Sequence, residues 1–168
     1  MDESIIVKKL NKEDLEQYKE IRLELLKNEP INFGSSFEEE STFNEVMWEN
    51  RLSKDYLGVF GGFINGKIIG VALAVMNPRK KIKHVATLNS MYVKEKYRNL
   101  GLGRELIKVI INHLSNQGVE ILNLSVVTSN LNAINLYKSL GFEVYGEEKN
   151  AIKLNKEYIN LFLMTKNI

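Results

Sequence analysis

Met91-Tyr92-Val93-Lys94-Glu95-Lys96-Tyr97-Arg98-Asn99-Leu100-Gly101-Leu102-Gly103-Arg104 joins a β-rich run to the clearest helical pattern in the chain. The run ends at Val93, two glycines follow, and Leu102, Leu106, Val109, Ile110 and Leu114 then recur at helical spacing. Glycines so placed let backbone N–H groups approach a ligand closely. The helix N-terminus adds roughly half a positive charge, which favours a phosphate. Arg98 and Arg104 bracket the loop as countercharge.

A lone Gly-x-Gly is more often a plain left-handed turn before a helix. Two nucleotide loops can be set aside at once. A P-loop needs Gly-Lys-Ser/Thr, whereas Gly103 is followed by Arg104-Glu105. A dinucleotide fingerprint needs a small third residue where Leu106 stands, and an antiparallel hairpin is the wrong lead-in.

Upstream, residues 56–64 and 67–76 are β-rich and joined by Asn65-Gly66, which suits a type I′ turn, and residues 84–93 continue as a third antiparallel strand. Residues 5–7 start a first strand. A helix then follows Asn11 with Leu15, Tyr18, Ile21 and Leu25 on one face, ending before Pro30. Thr42-x-x-Glu45 reads as a capping box opening a second helix, with Phe43, Val46 and Met47 inward and its end near Leu52. Downstream, the helix begun at Leu102 closes at Gly118, residues 119–127 form a strand, Asn130 caps a helix over 131–140 closed by Gly141, and residues 142–149 and 158–165 supply two last strands. The order β-α-α-β-β-β-α-β-α-β-β predicts an α+β fold, a mixed and mostly antiparallel sheet of about seven strands flanked by about four helices.

The 168 residues are expected to form a single domain, 1–168. A formal charge of +2 is too small to imply nucleic acid or an anionic membrane as partner. Cysteine is absent and histidine is limited to His84 and His113, so no Cys- or His-rich metal site is expected. With no basic, apolar leader at Met1 and no apolar run of about 20 residues, the default expectation is a cytoplasmic protein with no membrane association.

Arg98-x-x-Gly101-x-Gly103, behind a strand ending Met91-Tyr92-Val93, resembles motif A of the GNAT superfamily of N-acetyltransferases. Asn130, Ala133, Leu136, Tyr137, Gly141 and Phe142 are similar to the family's next segment, and the element order agrees over nearly the whole chain. The segment Phe33-Gly34-Ser35-Ser36-Phe37-Glu38-Glu39-Glu40 resembles that of bacterial members with unassigned acceptors. The resemblance implies acetyl-CoA as co-substrate and no metal, with the pyrophosphate on backbone amides around Arg98, Asn99, Gly101, Leu102, Gly103 and Arg104. It implies a pantetheine arm lying like an added strand between splayed strands ending near Val93 and Val127, with Met91, Tyr92 and Val93 along its edge and Asn130 and Ala133 farther on. It implies direct attack by a primary amine, on a small molecule or a peptide N-terminus, with Tyr137 protonating the departing thiolate. A homodimer is compatible with it.

The strand over residues 84–93 departs from many relatives by holding no carboxylate; Asn89 stands where some have glutamate. No general base is thereby assigned; Glu38, Glu39 and Glu40, on the segment expected to wall the acceptor side, are candidates, but three adjacent acids read more often as a solvated face. The missing carboxylate leaves an alternative, a catalytically silent acyl-CoA-binding sensor of the same fold. Arg79, Lys80, Lys81 and Lys83 read as a solvated turn, the other reading being contact with the ribose phosphate of CoA. Trp48 reads as core or half-buried packing.

Overall fold

The structure, a computed structural model, describes residues 4–168. Its strands are β1 (Ile6–Lys9), β2 (Leu57–Ile64), β3 (Lys67–Met76), β4 (Val85–Val93), β5 (Ile121–Val127), β6 (Glu143–Leu154) and β7 (Glu157–Asn167). The helices are α1 (Leu15–Asn28), α2 (Phe37–Glu40), α3 (Glu45–Ser53), α4 (Leu102–Asn116) and α5 (Leu131–Ser139). One sheet runs in the order β1-β2-β3-β4-β5-β7-β6, with β4 and β5 parallel and every other neighbouring pair antiparallel. This is the expected α+β architecture. The fifth helix is the single turn α2, too short to show a period in the sequence.

Each face of the sheet buries its own core. On one side the stripe Leu102, Leu106, Ile107, Ile110 and Leu114 of α4 is fully buried against β2, β3 and β4. Two strand glycines let that helix sit close: a Cβ on Gly70 would stand 2.8 Å from Leu102 Cδ2, and one on Gly62 would overlap the same side chain. On the other side Tyr18, Ile21, Leu25 and Leu26 of α1 join Trp48, Val59, Phe63 and Val71. The β2–β3 turn is built as its residues require, with Asn65 at φ 50° and Gly66 at φ 75°.

The second long helix starts two residues later than its sequence suggests. Asn44 caps α3, its side chain accepting from the Met47 N–H at 3.0 Å, while Thr42 donates to the Glu39 carbonyl at 2.7 Å. The capping box lies upstream instead, between Ser36 and Glu39 at α2. That shift turns the helix: Val46 and Met47 face solvent, and Trp48 is the inward residue, 1% exposed, with Phe43 half-buried at 5.5 Å beside it. Among the described residues no helix is long and apolar enough to cross a membrane.

Candidate active site

β4 and β5 pair only from Val85↔Ile121 to Leu88↔Leu124, although β4 runs on to Val93 and β5 to Val127. Beyond Leu88 the two strands part. The parting coincides with a bulge: Leu73 of β3 pairs with Asn89 and Val71 with Tyr92, so one residue of β3 opposes Ser90 and Met91 of β4. Ser90 takes φ 54°, a left-handed conformation that serine seldom adopts and no local sequence signal announces.

A cleft of about 690 Å³ fills the gap. Asn89, Ser90 and Met91 form one wall, Ser125 to Val127 the other, and Asn130, Ala133, Leu136 and Tyr137 of α5 close its far side. Backbone groups on the facing strand edges lack each other as partners there, which suits an extended ligand that adds itself as a strand.

The glycine loop opens at the same end of β4. Asn99 at φ 62° and Gly101 at φ 82° both sit in the left-handed region, the backbone form from which anion-binding concavities of successive N–H groups are built. Glu105 N–H bonds to the Gly101 carbonyl at 3.1 Å, leaving the N–H groups of Leu102, Gly103 and Arg104 ahead of the first helical turn. A Cβ on Gly103 would stand 3.1 Å from both Leu136 Cδ2 and Met91 Cε, so its lack of a side chain also lets α4 close onto α5 and β4.

The bracketing arginines act as tethers. Arg98 Nε donates to the Val93 carbonyl at 2.9 Å, and its guanidinium pairs with Glu29 at the end of α1. Arg104 Nη2 donates to Ser139 Oγ at 2.7 Å on α5. Asn130 accepts from the Ala133 N–H at 3.2 Å as helix cap and donates to Asn32 Oδ1 at 3.4 Å, so residues 29–32 cross over the cleft between Arg98 and Asn130.

Tyr137 is 6% exposed, with its ring edge-to-face on Phe142 at 5.8 Å. Its hydroxyl makes no hydrogen bond among the described residues, and the side chain lines the cleft. Burial pushes the phenol well above its ordinary value of 10, so it stays protonated at any physiological pH.

Glu40 is not part of a solvated face: it is 2% exposed and ion-paired with Arg22 and Arg51, while Glu38 and Glu39 are exposed. Burial alone would raise its carboxyl, but hydrogen bonds and charge from Arg22 and Arg51 outweigh that and hold it below its ordinary range, so it is no base near neutrality. The basic turn at residues 79–83 is exposed and precedes β4, whereas the glycine loop follows it. Nine residues of strand put roughly 30 Å between them, so the turn is remote from the glycine loop.

Ser90, Arg22 and Arg51 line the cleft without having been singled out from the sequence. Arg22 did carry a signal, because it falls four residues after Tyr18 and three before Leu25, on the apolar stripe of α1. Ser90 and Arg51 carried none.

Residues 7–163 match the family model described as acetyltransferase (GNAT) domain. The chain is 29% identical over 126 residues to the L-amino acid N-acetyltransferase AaaT of Escherichia coli, covering 73% of this chain and 76% of that one. It is also 29% identical over 107 residues to the spermine/spermidine N(1)-acetyltransferase of Bacillus subtilis, covering 61% and 70%. In fold it is similar to the Salmonella typhimurium protein yncA, solved with its cofactor acetyl-CoA, at a TM-score of 0.82 and 19% identity over 98% of this chain and 94% of that one.

Proposed function

The chain belongs to the acetyltransferase (GNAT) family, and from that premise we propose that it transfers an acetyl group from acetyl-CoA to a primary amine by direct attack in a ternary complex. The parting of β4 and β5 beyond Leu88, along the part of β4 that leads into the glycine loop, carries this reading. The residues present fit that co-substrate: the amides of the left-handed loop from Asn99 to Arg104 suit a pyrophosphate, and the facing strand edges beyond the last β4–β5 pair, Leu88↔Leu124, suit an amide-bearing arm. Bound acetyl-CoA supplies an activated thioester.

The chain's own groups then have separable tasks. Backbone N–H groups at the β4 bulge are the donors available to polarise a carbonyl oxygen lying in the gap. Tyr137 holds a proton at its hydroxyl for the leaving sulfur. An amine with pKa about 10.4 is neutral in only roughly one molecule in a thousand at pH 7, so its proton must leave before attack. β4 offers no carboxylate, Glu40 is held ionised by two arginines, and Glu29 is paired with Arg98. Glu148 on β6 lines the cleft without an ion pair among the described residues, and otherwise water serves.

The relatives named above act on L-amino acids and on spermine or spermidine, which supports an amine as acceptor. The shortage of free carboxylates favours, as second reading, an acyl-CoA sensor that does not turn over. Thiol release from acetyl-CoA across an amine panel separates the two. Release that depends on an added amine is expected; tight acetyl-CoA binding with no release for any amine would select the sensor.

A further inference from the structure

The wall of the cleft that carries Arg22 and Arg51 holds a buried charge cluster that acetyl transfer does not itself require. Arg22 Nε and Nη2 donate to the two Glu40 oxygens at 2.8 and 2.7 Å, and Arg51 Nη1 and Nη2 donate to the same pair at 3.1 and 2.9 Å. Two guanidiniums thus share one carboxylate, which leaves a formal charge of +1. The other carboxylates lining the cleft do not cancel it at close range. Glu29 is matched by Arg98, and Glu148 is solvent-exposed on β6, where its field is screened.

The surplus charge is carried by two residues that line the cleft. Arg22, whose side chain is 5% exposed, uses a further N–H on Ser90 Oγ at 2.8 Å, which anchors it to the β4 bulge. Arg51 is 25% exposed, lines the cleft, and lies over the rings of Phe43 at 5.2 Å and Trp48 at 5.5 Å. A guanidinium has five N–H donors; two of Arg51's go to Glu40, and the Tyr18 hydroxyl lies beside it. Donors remain, already oriented by the stacked rings. One arginine would satisfy Glu40, and burying a second without a counter-anion costs stability. The planar fork matches the paired oxygens of a carboxylate or phosphate.

We infer that Arg51, backed by Arg22 and Glu40, selects an acceptor amine that carries an anionic oxygen group, carboxylate or phosphate, a few bonds from the attacking nitrogen. This rests on the proposed acetyl transfer and names its substrate class. A polyamine would instead bring further positive charge against the cluster.

The test pairs each α-amino acid with its amide, and each aminoalkyl phosphate with its alcohol, adding spermidine as a cationic acceptor. Binding to the CoA-saturated protein is measured by calorimetry, and initial rates are measured with acetyl-CoA. The anionic member of at least one pair should bind more tightly, and show higher kcat/KM, by roughly ten- to a hundredfold, the range of charge-assisted hydrogen bonds. Which series responds distinguishes carboxylate from phosphate. Arg51→Gln should erase the preference within the pair, and Arg51→Lys should restore part of it. A purely structural arginine would lower both members equally, and that result overturns the inference. So does a preference for neutral amides or spermidine, or the absence of any anionic ligand for the CoA-saturated protein. Selective binding of an anionic amine without thiol release would uphold this inference while removing the transfer reaction on which its naming as an acceptor rests.

Discussion

Tyr137 brings an unpartnered phenol to the wall of a cleft whose other polar groups are largely committed to one another. A raised pKa suits a donor, because the group never loses its proton in the working pH range, and a thiolate of pKa about 8.5 needs only a placed proton. The ring also packs on Phe142, so the hydroxyl must be tested without removing the ring. Tyr137→Phe is expected to lower kcat by roughly ten- to a thousandfold with little change in acetyl-CoA affinity. Single-turnover rates check this even if product release limits kcat, and an unchanged chemical step would reject the role.

At the scale of elements, the N-terminus of α4 does two jobs through one residue. Gly103 leaves the amides open to an anion, and it also admits Leu136 and Met91, which themselves line the cleft. A valine there must push both aside, partly into the space for the pantetheine arm. Gly103→Val is expected to weaken acetyl-CoA binding at least about tenfold and to lower stability by about 1–3 kcal/mol through overpacking. Calorimetry and denaturant unfolding read the two effects separately. A folded variant with unchanged affinity would reduce the loop to a turn. Arg98→Ala should weaken binding less than Gly103→Val, because its guanidinium is tied to Val93 and Glu29 while the backbone amides remain.

For the whole molecule, the cleft lies where the two halves of the sheet share only the short β4–β5 ladder, four residue pairs long. A ligand that bridges Met91 to Val93 and Ser125 to Val127 would complete that seam and join both halves. Acetyl-CoA at 100 times its Kd should therefore stabilise the native state by about 2.7 kcal/mol, raising Tm by roughly 5–11 °C for a chain of this size. Thermal unfolding with and without the ligand measures this, and no shift at saturation would remove the cofactor assignment.

Features encoded within a few residues are legible in the chain before it folds. Asn65-Gly66 dictated the hairpin, the stripe from Leu102 to Leu114 dictated α4, and Arg98-x-x-Gly101-x-Gly103 with the segment from Asn130 to Phe142 pointed to the family. The start of α3 was misread because Thr42 and Asn44 are both good caps, and burial of Trp48 selects the phase. The Ser90 bulge, the parting of β4 from β5 and the Arg22–Glu40–Arg51 cluster arise from packing between distant segments. The cluster's residues come from α1, α2 and α3, and Arg22 also reaches Ser90 on β4, so chain separations of 11 to 68 residues are bridged. Charged side chains so far apart carry no joint period or spacing. They meet because the apolar faces of α1 and α3 pack on one side of the sheet, and among the described residues the buried Glu40 carboxylate is paired with those two arginines.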